Sequence, residues 1–264
     1  MSDKRSDDGN LAATPNTSER MGGLSKGLAV IDAFRSSPGG MTISDVAKKA
    51  GLDRSTTRRC LFTLVDDGYA KMQGRLFSLT PQVLRLSGGY LGSPLLRILQ
   101  PSLDHLALAL HQSCSATVLD GAEVVYIARA NRHRVGAAEL DAGSRLPAYC
   151  TAMGRCLLAA KSDKDAREVL ESIDRVAINP KTITDIETLM ELIAAARSND
   201  YSIIDQEILL GFRTIAVPIR NSAGATVCAI SVAVHATSAS FEQLVSDYLP
   251  EMRKVQEDLA TFLN

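Results

Sequence analysis

The 264-residue sequence lacks the signatures of several protein classes. No stretch approaches 18 uninterrupted apolar residues, and 29 Lys and Arg are balanced by 30 Asp and Glu. We therefore expect no transmembrane helix and no binding of nucleic acid by bulk charge alone. The first ten residues, MSDKRSDDGN, contain no apolar signal core. This start predicts a cytoplasmic protein without a membrane partner.

Enzyme motifs and paired cysteines are also missing. The motifs HExxH, GxSxG, GxxxxGK[ST] and GxGxxG do not occur. Cys150 and His133 could form a thiol–imidazole pair, but their spacing gives it no support. We expect no enzyme, and hence no catalytic residue, metal site or cofactor. No CxxC pair occurs among the five cysteines, which predicts reduced thiols at Cys60, Cys114, Cys150, Cys156 and Cys228.

The charge is unevenly distributed along the chain. Residues 20–80 carry ten Lys or Arg and five Asp or Glu, a net charge of +5, whereas residues 1–19 carry −2 and the remainder −4. The length predicts one large domain or two ordinary ones, at about 100–200 residues each. A basic module joined to a mildly acidic body suggests that only the first contacts a polyanion. A solvated basic face would have the same composition.

Local patterns divide the first 80 residues into an arm, three helices and a hairpin. Residues 1–20 are rich in Ser, Asp, Asn, Thr and Gly and predict a disordered arm. Ser25 is expected to cap the first helix, and Thr42 the second, which ends at Gly51. Asp53 is expected to cap a third helix that runs to about residue 67. Apolar spacing predicts three inward faces: Leu24, Leu28, Ile31 and Phe34; Ile43, Val46, Ala47 and Ala50; and Thr57, Leu61, Leu64 and Val65.

The short connection between the second and third helices is typical of a helix-turn-helix. Polar and basic side chains occupy the outward face of the third helix in its first two turns. In a recognition helix, these first turns face base edges in the major groove. A hairpin with its two-residue turn at Gln73 and Gly74 follows and predicts a wing. A solvated helix start with incidental arginines is the alternative. The residues expected to contact double-stranded DNA are Thr42, Arg54, Ser55, Thr56, Arg58, Arg59, Lys71 and Arg75.

The remaining residues predict a linker and an α+β domain. Residues 81–93 are expected to form a linker helix that either relays domain rotation or acts as a passive spacer. A longer helix follows at about 95–112, and Gly88, Gly89, the run Gly92-Ser93-Pro94 and Pro101 are expected to break the helical pattern of residues 81–112. The domain at 94–264 is expected to contain an antiparallel sheet flanked by helices. The expected strands are 114–120, 123–130, 135–141, 201–205, 213–220 and 226–235, and the expected helices are about 151–160, 162–172, 186–198 and 241–262.

A run of small residues between 143 and 155 marks a candidate ligand site. A helix is expected to begin near Thr151 after a proline-containing loop, and its exposed backbone N–H groups would favour a carboxylate. Alternatively, Ala and Gly there only permit close packing of the helix on the sheet. The candidate countercharges are Arg129, Arg132, His133, Arg134, Arg145 and Arg213.

Six stretches together resemble one known family: SKGLAVIDAF, TISDVAKKAGLDRSTTRRCLFTLVDDGYA, GSRLPAYCTAMGRCLLA, NDYSIIDQE, LGFRTIAVPIR and AISVAV. The chain resembles the isocitrate-lyase-regulator-like (IclR) family of bacterial transcription regulators over about residues 20–262. The resemblance implies a winged helix-turn-helix domain at 21–80 and a GAF-like effector domain. It also implies a homodimer or homotetramer on a palindromic operator.

Within this family, RLPAYCTAMGR looks like the branch that controls aromatic-acid catabolism, the protocatechuate and β-ketoadipate regulators. Thr214 and Ala233 depart from the small polar residues of glyoxylate-type members, which fits a bulkier, partly aromatic ligand. We expect a sequence-specific regulator controlled by a small organic acid. An architectural DNA-binding protein without an effector is the alternative, and a small-acid-metabolising enzyme is less favoured. The resemblance implies an effector site near Thr151, Ala152, Met153, Asp205, Thr214, Ser231 and Ala233.

Overall fold

A computed structural model describes residues 21–35, 37, 39–131 and 140–263. The chain divides into two compact units between Leu91 and Gly92. The predicted arm at 1–20 lies outside the described residues. No helix in the described ranges is long and apolar enough to cross a membrane.

The first unit is a winged helix-turn-helix, as predicted. Its helices are α1 (Gly22–Asp32), α2 (Ile43–Ala50) and α3 (Arg54–Asp66), and strands β1 (Ala70–Gln73) and β2 (Leu76–Leu79) form an antiparallel hairpin. A 3-10 turn (Pro81–Val83) leads into α4 (Leu84–Leu91). The buried core of this unit consists of Val30, Phe34, Met41, Val46, Leu61, Leu64, Ala70 and Phe77.

Helix α1 differs from its prediction in its start and in its buried face. It begins at Gly22 without a side-chain cap, so Ser25 lies inside the helix. Leu24 and Leu28 are 61% and 54% exposed, whereas Val30 and Phe34 are buried. The small core lies beside the C-terminal half of α1 only, and the N-terminal leucines therefore remain outside it.

The ends of α2 and α3 confirm the predicted capping residues. The Thr42 hydroxyl accepts a hydrogen bond from the N–H of Asp45, while the Asp45 carboxylate accepts one from the N–H of Thr42. Gly51 ends α2 with φ +64°, and Asp53 caps α3. Through these local hydrogen bonds, each helix end satisfies its own free backbone groups. The bonds therefore fix the angle of the turn between α2 and α3.

The wing is present, but its turn is one residue later than predicted. Gln73 pairs with Leu76, so the turn consists of Gly74 and Arg75. Gly74 has φ +62°, which favours glycine at the first central position of a two-residue turn. Arg75 therefore lies in the tip itself rather than beside it.

The second unit opens with α5 (Pro94–Leu110), which the predicted break at 92–94 separates from α4 and which the predicted break at Pro101 does not interrupt. Pro101 lies inside α5, and Gly88 and Gly89 lie inside α4. Pro101 removes one backbone donor, but Leu99 and Leu103 on either side are fully buried and hold the helix in the core.

Six antiparallel strands form the sheet of the second unit within the described residues. The strands are β3 (Ser113–Asp120), β4 (Glu123–Ala130), β5 (Arg145–Pro147), β6 (Ser202–Asp205), β7 (Phe212–Arg220) and β8 (Thr226–His235). They lie side by side in the order β5-β4-β3-β8-β7-β6. The strand at 145–147 is not among those expected from the sequence, and the predicted strand at 135–141 lies largely outside the described residues.

Helices cover both faces of this sheet. A 3-10 turn (Ala148–Cys150) precedes α6 (Ala152–Ala159), and α7 (Asp163–Glu171) and α8 (Ile186–Asn199) follow on the same side. The other face packs against α5 and the C-terminal helix. That helix was predicted as one element but consists of α9 (Phe241–Gln243), a π-helical turn (Leu244–Tyr248) and α10 (Leu249–Phe262).

The two faces of the sheet differ in side-chain size. On β8, Ile230, Val232 and Val234 join the core with α5 and α10, whereas Ala229 faces α6 and α8. Large branched side chains fill the first face. Small ones let α6 approach the second face closely and leave space at one end of it.

Candidate functional site

The first candidate site is the exposed N-terminal half of α3. The Asp53 carboxylate accepts hydrogen bonds from the N–H of Thr56 (2.8 Å) and the hydroxyl of Ser55 (2.7 Å). These bonds hold the pKa of Asp53 well below its usual range, so the cap is ionised at neutral pH. Ser55 keeps an acceptor lone pair toward solvent.

Arg54, Arg58 and Arg59 are exposed on the first turns of α3. None of them forms an ion pair in the described part of the chain. The Arg58 guanidinium lies 5.2 Å from the centroid of the Phe62 ring, which holds it on the outer surface. The prediction that these guanidinium groups point away from the core is therefore correct.

Thr56 does not lie on this outward face. It is only 7% exposed, and its hydroxyl lies 3.5 Å from Nη2 of Arg59. Thr56 lies beside Cys60 at the edge of the inward-facing side of α3. This buried side of the helix is wider than its apolar residues alone indicate. Its predicted outward position is wrong.

The other predicted DNA contacts lie around α3. Lys71 and Arg75 are exposed on the wing, and Thr42 is half-buried in the cap of α2. Unpaired cations on a helix start and on a neighbouring hairpin can bind a polyanion, with arginines reaching base edges and the wing reaching phosphates.

The second candidate site is a cavity of about 170 Å³ at one end of the sheet. It lies between the small-residue face of the sheet, the start of α6 and the segment at 206–211. Six of the seven predicted effector residues line it, and Asp205 does not. Its lining consists of Ser113, Ser115, Tyr126, Arg129, Leu140, Leu146, Thr151, Ala152, Met153, Ile204, Ile208, Leu209, Phe212, Thr214, Ser231 and Ala233.

The first turn of α6 presents backbone donors to this cavity. The Thr151 hydroxyl accepts a hydrogen bond from the N–H of Gly154 (3.0 Å). The N–H groups of Ala152 and Met153 have no intrahelical acceptor because they belong to the first turn. A Cβ atom at Gly154 would overlap the carbonyl oxygen of Ala148, so only glycine allows this close approach.

Hydroxyl groups line the sheet side of the cavity. Ser115 is paired with Ser231 across β3 and β8. Thr214 on β7 is paired with Ala233, which is also paired with Ser113. This surface can exchange hydrogen bonds with polar substituents of a ligand.

Among the residues that the structure describes, Arg129 is the only charged one that lines the cavity. It lies on β4, opposite Ser115, and its Nε donates to the side-chain oxygen of Asn131. The guanidinium keeps further donors for an anion. Of the predicted countercharges, it is therefore the one that the described structure brings to the site.

The other candidate countercharges are engaged or lie elsewhere. Arg145 pairs with Asp120 (2.7 Å) and Glu123 (2.6 Å). Arg213 pairs with Asp205 (2.8 Å). The remaining three, Arg132, His133 and Arg134, lie outside the described residues.

Asp205 is turned away from the cavity. Its carboxylate forms ion pairs with Lys181 (2.8 Å) and Arg213 (2.8 Å). These hydrogen bonds lower the pKa of Asp205 to about 2 despite the opposing effect of burial. Successive strand side chains point to opposite faces, and the neighbouring Ile204 is the one that lines the cavity. The predicted effector contact at Asp205 is wrong.

Several lining residues are missing from the sequence prediction, although two of them, Ser113 and Ser115, carry a signal in the sequence. The alternation of Ser113 and Ser115 with Cys114 and Ala116 indicates a strand with one polar face. Tyr126 is buried, which raises the pKa of its phenol to about 12 and keeps it neutral. The missed lining residues are Ser113, Ser115, Tyr126, Leu140, Leu146, Ile204, Ile208, Leu209 and Phe212.

The cysteines and acidic residues form no reactive cluster in the described ranges. All five cysteines are unpaired. Burial raises the pKa of the Cys150 thiol to about 12, so that thiol is not a thiolate nucleophile at neutral pH. No group of three His, Cys, Asp or Glu residues there could hold a metal ion.

Comparisons with known proteins match both units of the chain. Residues 23–74 match the IclR helix-turn-helix domain. Residues 91–261 match the family described as bacterial transcriptional regulator IclR C-terminal.

Two curated relatives and one solved structure are similar over most of their length. The chain is 39% identical to the Pca regulon regulatory protein of Pseudomonas putida, covering 90% of this chain and 83% of that protein. It is 33% identical to the p-hydroxybenzoate hydroxylase transcriptional activator of Acinetobacter baylyi, covering 92% of each. An IclR homologue from Microbacterium hydrocarbonoxydans, complexed with 4-hydroxybenzoate, matches with a TM-score of 0.77 and 26% identity, covering 91% of this chain and 98% of that one.

Proposed function

The chain belongs to the IclR family of bacterial transcriptional regulators, and on this basis we propose that it controls transcription at an operator in response to a monocyclic aromatic carboxylate. DNA is bound by the winged helix-turn-helix, and the effector by the second unit. Its relatives are named as transcriptional regulators, and we infer that this chain likewise has no enzymatic activity and acts in the cytoplasm.

Residues on α3 and the wing carry the DNA contact in this proposal. Arg54, Arg58 and Arg59 reach the bases or backbone of the major groove, with Ser55 beside them. Lys71 and Arg75 contact phosphates from the wing. Support comes from the exposure of these side chains and from their lack of ion pairs in the described structure.

The cavity supports a ligand with one aromatic ring. An apolar protein cavity of about 150 Å³ holds benzene, and this cavity measures about 170 Å³. Aliphatic side chains, among them Leu146, Met153 and Ile204, would contact the ring. Hydroxyls on β3, β7 and β8 would bind ring substituents.

Charge at the cavity supports a carboxylate on that ring. The Arg129 guanidinium and the free N–H groups at the start of α6 are both attractive to an anion. No acidic side chain lines the cavity among the described residues. The relatives named for the Pca regulon, p-hydroxybenzoate hydroxylase and 4-hydroxybenzoate support this ligand class.

We infer that the protein binds its operator as a homodimer or homotetramer. Met21, Leu24 and Leu28 form an exposed apolar stripe on α1, and Leu84 and Leu86 are exposed on α4. Apolar stripes on the surface of a small domain mark protein contacts. A symmetric dimer presents two recognition helices to a palindromic site.

Effector and operator are linked by a coupling free energy. Each prefers one arrangement of domains and subunits, so each changes the affinity of the other by the same factor. The sign of that factor decides whether the effector releases or strengthens the DNA complex.

The observation that carries the proposal is a cavity of one-ring size that combines apolar walls with a single cation. The test is a thermal-shift screen of the full-length protein against protocatechuate, 4-hydroxybenzoate, β-ketoadipate and pyruvate. We expect an aromatic acid to raise the melting temperature most and to change the affinity for DNA selected from a random pool. If no acid binds and the DNA affinity never changes, the protein is an architectural DNA-binding protein instead.

A further inference from the structure

A buried ion pair lies directly behind the effector cavity without lining it. Arg155, on the second turn of α6, and Glu207, on the segment 206–211, are only 1% and 3% exposed. Nη2 of Arg155 donates to Oε2 of Glu207 at 2.7 Å. Nε of Arg155 donates to the carbonyl oxygen of Tyr149 at 3.0 Å.

Glu207 is the junction of three chain segments. Its Oε2 also accepts the N–H of Ile183 (3.2 Å). Its backbone carbonyl accepts hydrogen bonds from the Thr182 hydroxyl (2.7 Å) and the Asn179 amide (3.0 Å). The carboxylate therefore ties the segment 206–211 both to α6 and to the loop before α8.

The segment 206–211, which we call the wall segment, supplies one side of the cavity. Ile208 and Leu209, the two residues after Glu207, both line it. The opposite end of the same ion pair lies on α6, whose first turn lines the cavity with Ala152 and Met153. One side-chain contact thus sets the distance between two cavity walls.

A buried ion pair does not in general stabilise a fold more than well-packed apolar side chains do. Removing two charges from water costs several kcal/mol, which is of the same order as the free energy that their attraction returns. Buried ion pairs can therefore often be replaced by apolar side chains without loss of stability. A guanidinium and a carboxylate bind each other only within a narrow range of geometries. Two apolar side chains in contact do not fix their relative orientation in this way.

We propose that Arg155 and Glu207 are a positioning pair that holds the wall segment against α6 and thereby sets the affinity and selectivity of the effector site. This inference rests on the proposed function of the cavity. Neither residue touches the ligand, so both act through Ile208, Leu209 and the first turn of α6.

The test is the double variant Arg155→Met with Glu207→Met in the full-length protein. We expect the variant to remain folded because the two methionines fill the buried volume, with a lower melting temperature because the Ile183 N–H and the Tyr149 carbonyl lose these partners. Its affinity for 4-hydroxybenzoate, measured by calorimetry, should fall about tenfold. The difference between its affinities for 4-hydroxybenzoate and for protocatechuate should become smaller than in the wild type. A folded double variant with wild-type affinity and preference would overturn the proposal.

A second variant keeps the test decisive if the double variant fails to fold. Asn179→Ala removes the amide that donates to the carbonyls of Gln206 and Glu207 and leaves the buried charges paired. Its affinity for 4-hydroxybenzoate should fall, as in the double variant. An unchanged affinity would also count against the proposal.

The matched control is the pair Arg167 and Glu187, which bridges α7 and α8 on the surface at 2.7 Å. Its double methionine variant should bind the effector like the wild type. A wild-type protein that binds no aromatic acid would refute the proposed function. Binding by the wild type with unchanged binding by the variants would refute only the positioning pair.

Discussion

Replacing Arg129 by glutamine tests where the effector carboxylate is bound. The change removes the only charged side chain that lines the cavity in the described structure. The strand itself should persist, because the backbone of Arg129 is held by the pairing with Ser115 and by a hydrogen bond from Gln100 to its carbonyl oxygen (3.1 Å). The substitution therefore removes a charge and leaves the cavity shape largely intact.

The expected loss follows from the energy of one charged hydrogen bond. Such a bond contributes about 1.5–3 kcal/mol, which corresponds to a rise in Kd of about 10- to 150-fold. Arg129 is half-buried, and water screens it in part, so we expect a value near the lower end.

Calorimetry with a matched ligand pair isolates this contribution. The affinity for 4-hydroxybenzoate should fall in Arg129→Gln, whereas that for the uncharged 4-hydroxybenzyl alcohol should not change. Arg145→Gln is the control, since Arg145 is held by Asp120 and Glu123 outside the cavity lining. Equal losses for acid and alcohol, or no loss for the acid, would refute the role of Arg129.

Four further predictions concern the two sites and their support. Arg58→Ala should weaken operator binding by about 1–3 kcal/mol and relax sequence preference; unchanged discrimination between selected and random DNA in fluorescence anisotropy would remove Arg58 from the base contacts. Ala152→Trp should fill the cavity and abolish the effector response while DNA binding persists, and an effector that still shifts the DNA complex would contradict this. Gly154→Ala should lower the free energy of unfolding in urea by at least about 2 kcal/mol because of overlap, whereas Gly88→Ala, which has open space around it, should not; equal effects would contradict the packing argument. Asp205 has a pKa lowered to about 2, so its ion pairs should stabilise the fold above about pH 4. The difference in unfolding free energy between the wild type and Asp205→Asn should therefore shrink as the pH falls toward about 2. A difference that stays constant with pH would argue against a stabilising role of these ion pairs.

Features fixed by neighbouring residues were predictable from the sequence. Thr42 with Asp45, Gly51 and Asp53 are capping residues whose partners lie within four positions of them. The same locality explains the correct outward direction of Arg58. The turn of the wing was misplaced by one residue because both Gln73–Gly74 and Gly74–Arg75 contain the glycine that the turn requires, and only the pairing of the two strands selects between them.

Features created by distant strands were not predictable in the same way. The cavity joins Ser115 of β3 to Ser231 of β8 and to Ile208 beyond β6, and no local spacing relates these positions. The resemblance implies an effector contact at Asp205, but the strand places Ile204 at the cavity and Asp205 on the opposite face. The ion pair of Arg155 and Glu207 is not predictable from local spacing either, since 52 positions separate its partners.

The difference between the two faces of the sheet explains how this fold can respond to a ligand. Filling the second face with branched side chains, as on the first, would leave no cavity. Unfilled space of about 170 Å³ costs a fold up to about 4 kcal/mol relative to a packed core, at roughly 24 cal/mol per Å³, and less where water occupies it. An effector that fills the space recovers part of this free energy only in conformations that keep the walls in contact with it. A ligand shifts an equilibrium by no more than its difference in affinity between the two states. The recoverable amount is of the same order as the 1–3 kcal/mol or so typical of coupling between sites, so the small side chains of this face are sufficient to supply a regulatory signal.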